Sequence, residues 1–216
     1  MASVVPPSLL FDLRLPILRC DAPNNRKKNG IPLLTDAWRL AVPSAINDEP
    51  QFANVFAGWN PDGLAFRFEV QGHTDAVQGD RKSDAIQIWL DLRPSGQIHR
   101  ATEYCHSFSF VPADSDSDDK AAVYQAPIAQ QKIQRQEPDL KQFRIEAAVN
   151  KTGYTLSAWL PGTQLYGFRE LEEIGRFGFS CEVRDSQLGT QPFLVGDDFP
   201  TTYDPSLWPQ FELTNN

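Results

Sequence analysis

Apolar side chains recur at every second position along much of this chain, as in Leu64, Phe66, Phe68 and Val70, or Phe177, Phe179, Cys181 and Val183. Successive side chains of a strand point to opposite faces, so each such row marks the buried face of a strand. The pattern predicts strands over 11–17, 53–59, 64–70, 84–92, 103–110, 143–149, 154–160, 177–183 and 211–213. Turn formers join two pairs of them. Asn60-Pro61-Asp62-Gly63 closes one hairpin and Lys151-Thr152-Gly153 another. Ile31–Leu34 forms only a short apolar element, and Ala37–Val42 has no assignable period. Gly167–Ile174 alone reads as a short helical turn. So many strands with so little helical periodicity predict an all-β fold: a two-sheet antiparallel β-sandwich, jelly-roll-like, spanning 1–216 as a single domain. The stretch 111–142 breaks the pattern and is expected to be one long loop insertion.

Composition sharpens this picture. Among 216 residues, 28 acidic against 20 basic side chains give a formal charge of −8, which argues against a nucleic-acid-binding surface. The 17 prolines disfavour long helices, and no run of 18 apolar residues offers a membrane span. Asp12 and Arg14 interrupt the apolar N-terminal stretch, so no signal peptide is expected and the reading is cytoplasmic. Cys20, Cys105 and Cys181 are odd in number and far apart, which suits reduced thiols. Within the insertion, the run from Asp114 to Asp119 is followed by a Gln-rich segment holding Gln130, Gln131, Gln134 and Gln136. An EF-hand loop would need Gly where Asp119 stands and Glu where Gln125 stands, so a solvated loop is the simpler expectation.

The opposite parity carries the candidate chemistry. It reads Arg67 and Glu69; Gln87, Trp89 and Asp91; Arg144 and Glu146; Ser157 and Trp159; Ser180, Glu182 and Arg184. A solvated outer sheet face, with opposite charges paired across strands, accounts for most of these residues. Two outward tryptophans and the absence of Lys from these rows, when Lys supplies 7 of the 20 basic residues, fit that account less well. Guanidinium and carboxylate groups bond adjacent hydroxyls in pairs, and an indole covers the apolar face of a sugar ring.

The segments 58–70 (GWNPDGLAFRFEV), 84–91 (DAIQIWLD), 153–156 (GYTL), 178–185 (GFSCEVRD) and 204–213 (DPSLWPQFEL) together resemble the family 9 carbohydrate-binding modules, within the wider DOMON-like β-sandwiches. The likeness runs in order over about residues 50 to 213. It implies ligand-binding positions at Gln87, where the family has a carboxylate, and at Glu182. Two tryptophans that clamp the sugar in that family are replaced, by Arg81 and Thr202. Trp89, Tyr203 or Trp159 would have to supply any aromatic platform. Ser157 stands where the family has Glu, and Leu160-Pro161-Gly162 replaces Ile-Pro-Trp.

Rival chemistries have weaker support. His73, His99 and His106 with Cys105 match no metal spacing, and Met1 is the only methionine, which argues against His/Met haem ligation, so no cofactor is assigned. Glu69, Glu146 and Glu182 share the polar parity, but each has an Arg in its row that should hold it ionised, against the need of a general acid. Cys105 and His106 are strand neighbours that point apart. The expectation is therefore a non-catalytic carbohydrate-binding-like domain, with no catalytic residues. A saccharide or similar polar ligand would meet Gln87, Glu182, Trp89, Arg67, Arg184, Arg81 and Tyr203. The alternatives are a structural or protein-interaction sandwich without a small-molecule site and, third, a metal- or haem-dependent enzyme.

Overall fold

Two stacked sheets bury the apolar rows against each other. The structure, a computed structural model, describes residues 5–24, 30–77, 80, 83–95, 98–114, 120–131, 133 and 137–215. The basic run at 26–28, the acidic positions 116–119, Gln134, Gln136, Met1 and Arg81 lie outside the described residues. The strands are β1 (Arg14–Leu18), β2 (Ala53–Asn60), β3 (Gly63–Gln71), β4 (Ala85–Asp91), β5 (Cys105–Asp114), β6 (Lys120–Gln125), β7 (Arg144–Asn150), β8 (Gly153–Pro161), β9 (Arg176–Asp185), β10 (Gly189–Pro192) and β11 (Gln210–Thr214). One sheet has seven strands in the order β1-β11-β9-β4-β5-β6, with β10 also on β9; the other has four, β2-β3-β8-β7. Pairing is antiparallel except between β1 and β11. The predicted two-sheet sandwich is the observed one, and the one α-helical turn among the described residues, α1 (Leu171–Ile174), lies inside the stretch read as helical. No helix among the described residues is long and apolar enough to cross a membrane.

The segment 111–142 is not wholly loop. Val111 to Asp114 prolong β5, and Lys120–Gln125 return beside it as edge strand β6, with a register shift between Val111 and Asp114. Its polar, half-exposed side chains hide the strand from a periodicity search, because an edge strand has little to bury. Strand β10 is likewise invisible in the sequence: it is four residues long and reads Gly-Thr-Gln-Pro.

The core is aromatic. Phe66 of the four-stranded sheet stacks on Phe179 of the seven-stranded sheet, with centroids 5.2 Å apart. Phe193 and Phe211 meet Phe179 edge-on at 5.5 and 5.4 Å, and Phe143 meets Phe108 edge-on at 5.0 Å. A polar staple crosses beside them: buried Gln191 accepts from the amides of Phe52 and Ala53 and donates to the Ala53 carbonyl, tying β10 to β2. At the second hairpin turn Gly153 holds φ +151°, and a Cβ there would lie 1.9 Å from the Val70 carbonyl oxygen.

Both outer faces are partly covered. Cys20, Leu34, Phe56, Ala65 and Trp159 form a second apolar layer on the four-stranded sheet. Trp89, Ala101, Cys105, Ile128 and Trp208 form a third on the seven-stranded one. All three cysteines are free and buried, and burial pushes the Cys20 thiol up to about 11 and Cys105 to about 12. Phe179→Ala is expected to cost about 3–5 kcal/mol of unfolding free energy in chemical denaturation, against at most about 0.5 kcal/mol for exposed Glu146→Ala; similar losses for the two would show that the inter-sheet stack does not dominate.

Candidate functional site

Side-chain parity separates inward from outward but not one sheet from the other. The polar rows therefore divide between two surfaces on opposite sides of the sandwich. Arg67, Glu69, Arg144, Glu146, Ser157 and Trp159 lie on the outside of the four-stranded sheet, and Gln87, Trp89, Asp91, Ser180, Glu182 and Arg184 on the outside of the seven-stranded sheet. The expected Arg, Glu and Trp residues thus occupy two faces, not one, with Arg184, Glu182 and Trp89 on the seven-stranded sheet and Arg67 and Trp159 on the other.

Gln87 and Glu182 do come together. They are register partners on β4 and β9, with Ser109 the partner of Gln87 on the far side. The Gln87 amide donates to Ser107 Oγ at 2.6 Å, and Ser107 Oγ donates to the Ile88 carbonyl. Ser109 Oγ is buried without a hydrogen-bond partner. Two residues along β9, Arg184 Nε lies 3.0 Å from Glu182 Oε1, with the two side chains 30% and 14% exposed. Gln87 itself is only 7% exposed, so this strip meets solvent mainly through Glu182 and Arg184.

The remaining expected site residues fare differently. Arg67 faces the other side of the molecule, where it pairs with Glu69, donates to the Leu34 carbonyl at 2.6 Å and stacks over Phe56. Trp89 is buried among Ala101, Cys105, Ile128 and Trp208, and Trp159 beneath Cys20 and Leu34, so neither offers a flat open ring. Tyr203, half-buried, packs at the edge of the Trp89 cluster. Arg81 lies outside the described residues.

Electrostatics also departs from expectation. Burial pushes the Glu182 carboxyl above the ordinary carboxylate range; Arg184 pulls it down, and the charge of Asp197 pushes it further up. An adjacent Arg does not keep this carboxyl at its usual pKa, because desolvation outweighs the ion pair. Glu69 and Glu146 sit on the opposite outer surface, so no pair formed with Glu182 flanks one bond.

Cavities gather elsewhere. Hollows of about 690 and 630 Å³ open around Gln142, Gly162, Thr163 and Arg169, and a third of about 320 Å³ runs from Ser107 and Gln125 to Glu137. Ser107 links the third to Gln87. Tyr166, at the first, stacks on Tyr104 at 5.2 Å, and Arg93 lies over the Tyr104 ring.

Sequence spacing missed one cluster altogether. His73, Asp84 and Asp185 meet between the sheets, each buried, with His73 Nδ1 at 2.9 Å from Asp185 Oδ2. Burial lowers the His73 pKa, but the hydrogen bond to Asp185 and the charges of Asp185 and Asp84 outweigh it and leave it raised. The available signal was positional: all three residues stand at or just beyond a strand end, β3, β4 and β9. The other two histidines are placed apart: His99 shares Asp204 with Ser206 at the surface, and His106 bonds the Tyr166 carbonyl.

Structures of known proteins share this architecture. A family 9 carbohydrate-binding module from Caldicellulosiruptor kristjanssonii, solved in complex with cellotriose, superposes with a TM-score of 0.56 at 13% identity, covering 94% of both chains. The same module with glucose gives the same score, with 94% and 96% coverage. A proposed carbohydrate-binding protein from Bacteroides uniformis ATCC 8492 follows at 0.51 and 10% identity, over 94% and 98%. The fold is thus of the family 9 carbohydrate-binding module type. No protein-family model matches the sequence, and neither does any curated protein.

Because Glu182 is raised on folding, its contribution is present below the unfolded-state pKa and lost as pH rises through the folded value. Glu182→Gln is accordingly expected to match wild-type stability at acid pH and to exceed it near neutrality. Denaturation curves across pH 4 to 8 check this; a constant difference would show that Glu182 is not desolvated.

Proposed function

We propose that the chain is a non-catalytic carbohydrate-binding module that holds a saccharide on the outside of its seven-stranded sheet. The observation that carries this is the strip formed by Gln87, Glu182, Arg184 and the unpartnered Ser109 hydroxyl, in which a carboxylate, a guanidinium and an amide lie within one β4–β9 register block. Together they present the charge-assisted donors and acceptors that sugar hydroxyls bond. The likeness in fold to modules solved with cellotriose and glucose supports the ligand class. With Trp89 buried, recognition would be polar and edge-on, with half-buried Tyr124, the register partner of Ser109, and half-buried Tyr203 as the rings available on that side.

The burial of Gln87 and Trp89 favours a second reading, a sandwich whose covered face takes no small molecule and serves packing or protein contact. Calorimetric titration against glucose, cello-oligosaccharides and a broad glycan array separates the two. The saccharide reading expects measurable binding that Arg184→Ala weakens by about ten- to hundredfold, the loss of a charge-assisted hydrogen bond, while Arg67→Ala leaves it unchanged. No response from any glycan by folded protein would reject it.

A further inference from the structure

The sheets meet at the end of the sandwich where β3 runs out, β4 begins and β9 turns toward β10. There His73, Asp84 and Asp185 are 1%, 0% and 4% exposed, and one potential ligand atom from each lies within 4.8 Å of the other two. Backbone amides fix the carboxylates. Ser186 N donates to Asp84 Oδ1 at 2.7 Å, and Gln187 N and Leu188 N donate to Asp185 Oδ1 at 3.0 and 2.9 Å. Two buried atoms beside them are left unsatisfied, Nε2 of His73 and the hydroxyl of Tyr154. Tyr154 is 1% exposed, its ring meets that of His73 edge-on at 6.2 Å, and the charges of Asp185 and Asp84 both act on its hydroxyl. Buried polar atoms without partners are rare, and a polar cluster of this composition that leaves two of them open is shaped for a further group.

We propose that His73, Asp84 and Asp185 bind a divalent transition-metal ion of the Zn²⁺ or Mn²⁺ class, with the Tyr154 hydroxyl beside it, and that the ion cross-links the two sheets. The donor set decides the class: an imidazole nitrogen with two carboxylates suits these ions, whereas Ca²⁺ and Mg²⁺ prefer oxygen alone. Charge agrees, since two carboxylates and a neutral imidazole balance one divalent ion. An ion bound at about 2.0–2.2 Å needs ligand atoms roughly 3–3.5 Å apart, so even an edge at the 4.8 Å limit closes with side-chain shifts of about 1 Å. Coordination requires neutral imidazole, so protons compete with the ion for His73. His73 follows a strand of one sheet while Asp84 and Asp185 belong to the other, which is why the expected consequence is structural. The site is independent of the saccharide reading.

The test refolds the full chain from denaturant after chelation, alone or with Zn²⁺, Mn²⁺ or Ca²⁺, then desalts it and measures retained metal and Tm. One equivalent of Zn²⁺ or Mn²⁺ is expected, with a raised Tm, and Asp84→Asn and His73→Phe should lose it. Refolded wild type that retains no transition metal, or retains only Ca²⁺, would overturn the proposal and leave a buried ion pair only. Retention unchanged in both variants would overturn it equally. Should the variants not refold, Co²⁺ added to wild type decides: visible ligand-field bands distinct from the aquo ion support the site, and their absence rejects it.

Discussion

Face-to-face closure of two aromatic rows is the constraint on which the rest of this structure depends. Phe66 stacked on Phe179, with Phe193 and Phe211 set edge-on around the latter, fixes how far apart the sheets stand and how they are rotated. Aromatic rings of this size fill the inter-sheet space in few arrangements, so each strand's register follows once its phenylalanines are seated. That register in turn sets Gln87 opposite Glu182 and aims both away from the core.

The same closure accounts for where polar groups are tolerated. On the outside of the seven-stranded sheet, Glu182 stands deep enough that desolvation outweighs its ion pair with Arg184, yet shallow enough to keep some contact with water. At the sandwich end the core gives way to His73, Asp84, Asp185 and Tyr154 rather than to more phenylalanine. Polar groups so deep persist only where partners satisfy them, which turns the open atoms of His73 and Tyr154 into a chemical statement about the site.

Much of the fold was legible in the chain itself. Leu64 to Val70 and Phe177 to Val183 alternate cleanly because one of their faces is wholly buried, and the Asn60–Gly63 and Lys151–Gly153 turns carry residues that only turns favour. Strand β6 escaped because Lys120–Gln125 is half-exposed on both faces, and β10 because four residues are too few to show a period. Of the site, the pairing of Gln87 with Glu182 was legible, while the placing of Arg67 with them was not; alternation tells in from out, and Arg67 is outward on the wrong sheet.

What the sequence alone determined is the list of strands, their buried faces and hence a β-sandwich, since period-two patterning is a local property that each strand expresses in its own residues. What only the tertiary structure decided is which strands share a sheet, and so which outward side chains are neighbours. That choice buried Trp89 and Trp159 under connecting segments and carried Arg67 to the far side. It also drew His73, Asp84 and Asp185 together from up to 112 residues apart. The physical reason is that strand pairing is made through backbone hydrogen bonds common to every residue, so partner choice is settled by global packing and leaves no mark on the local pattern.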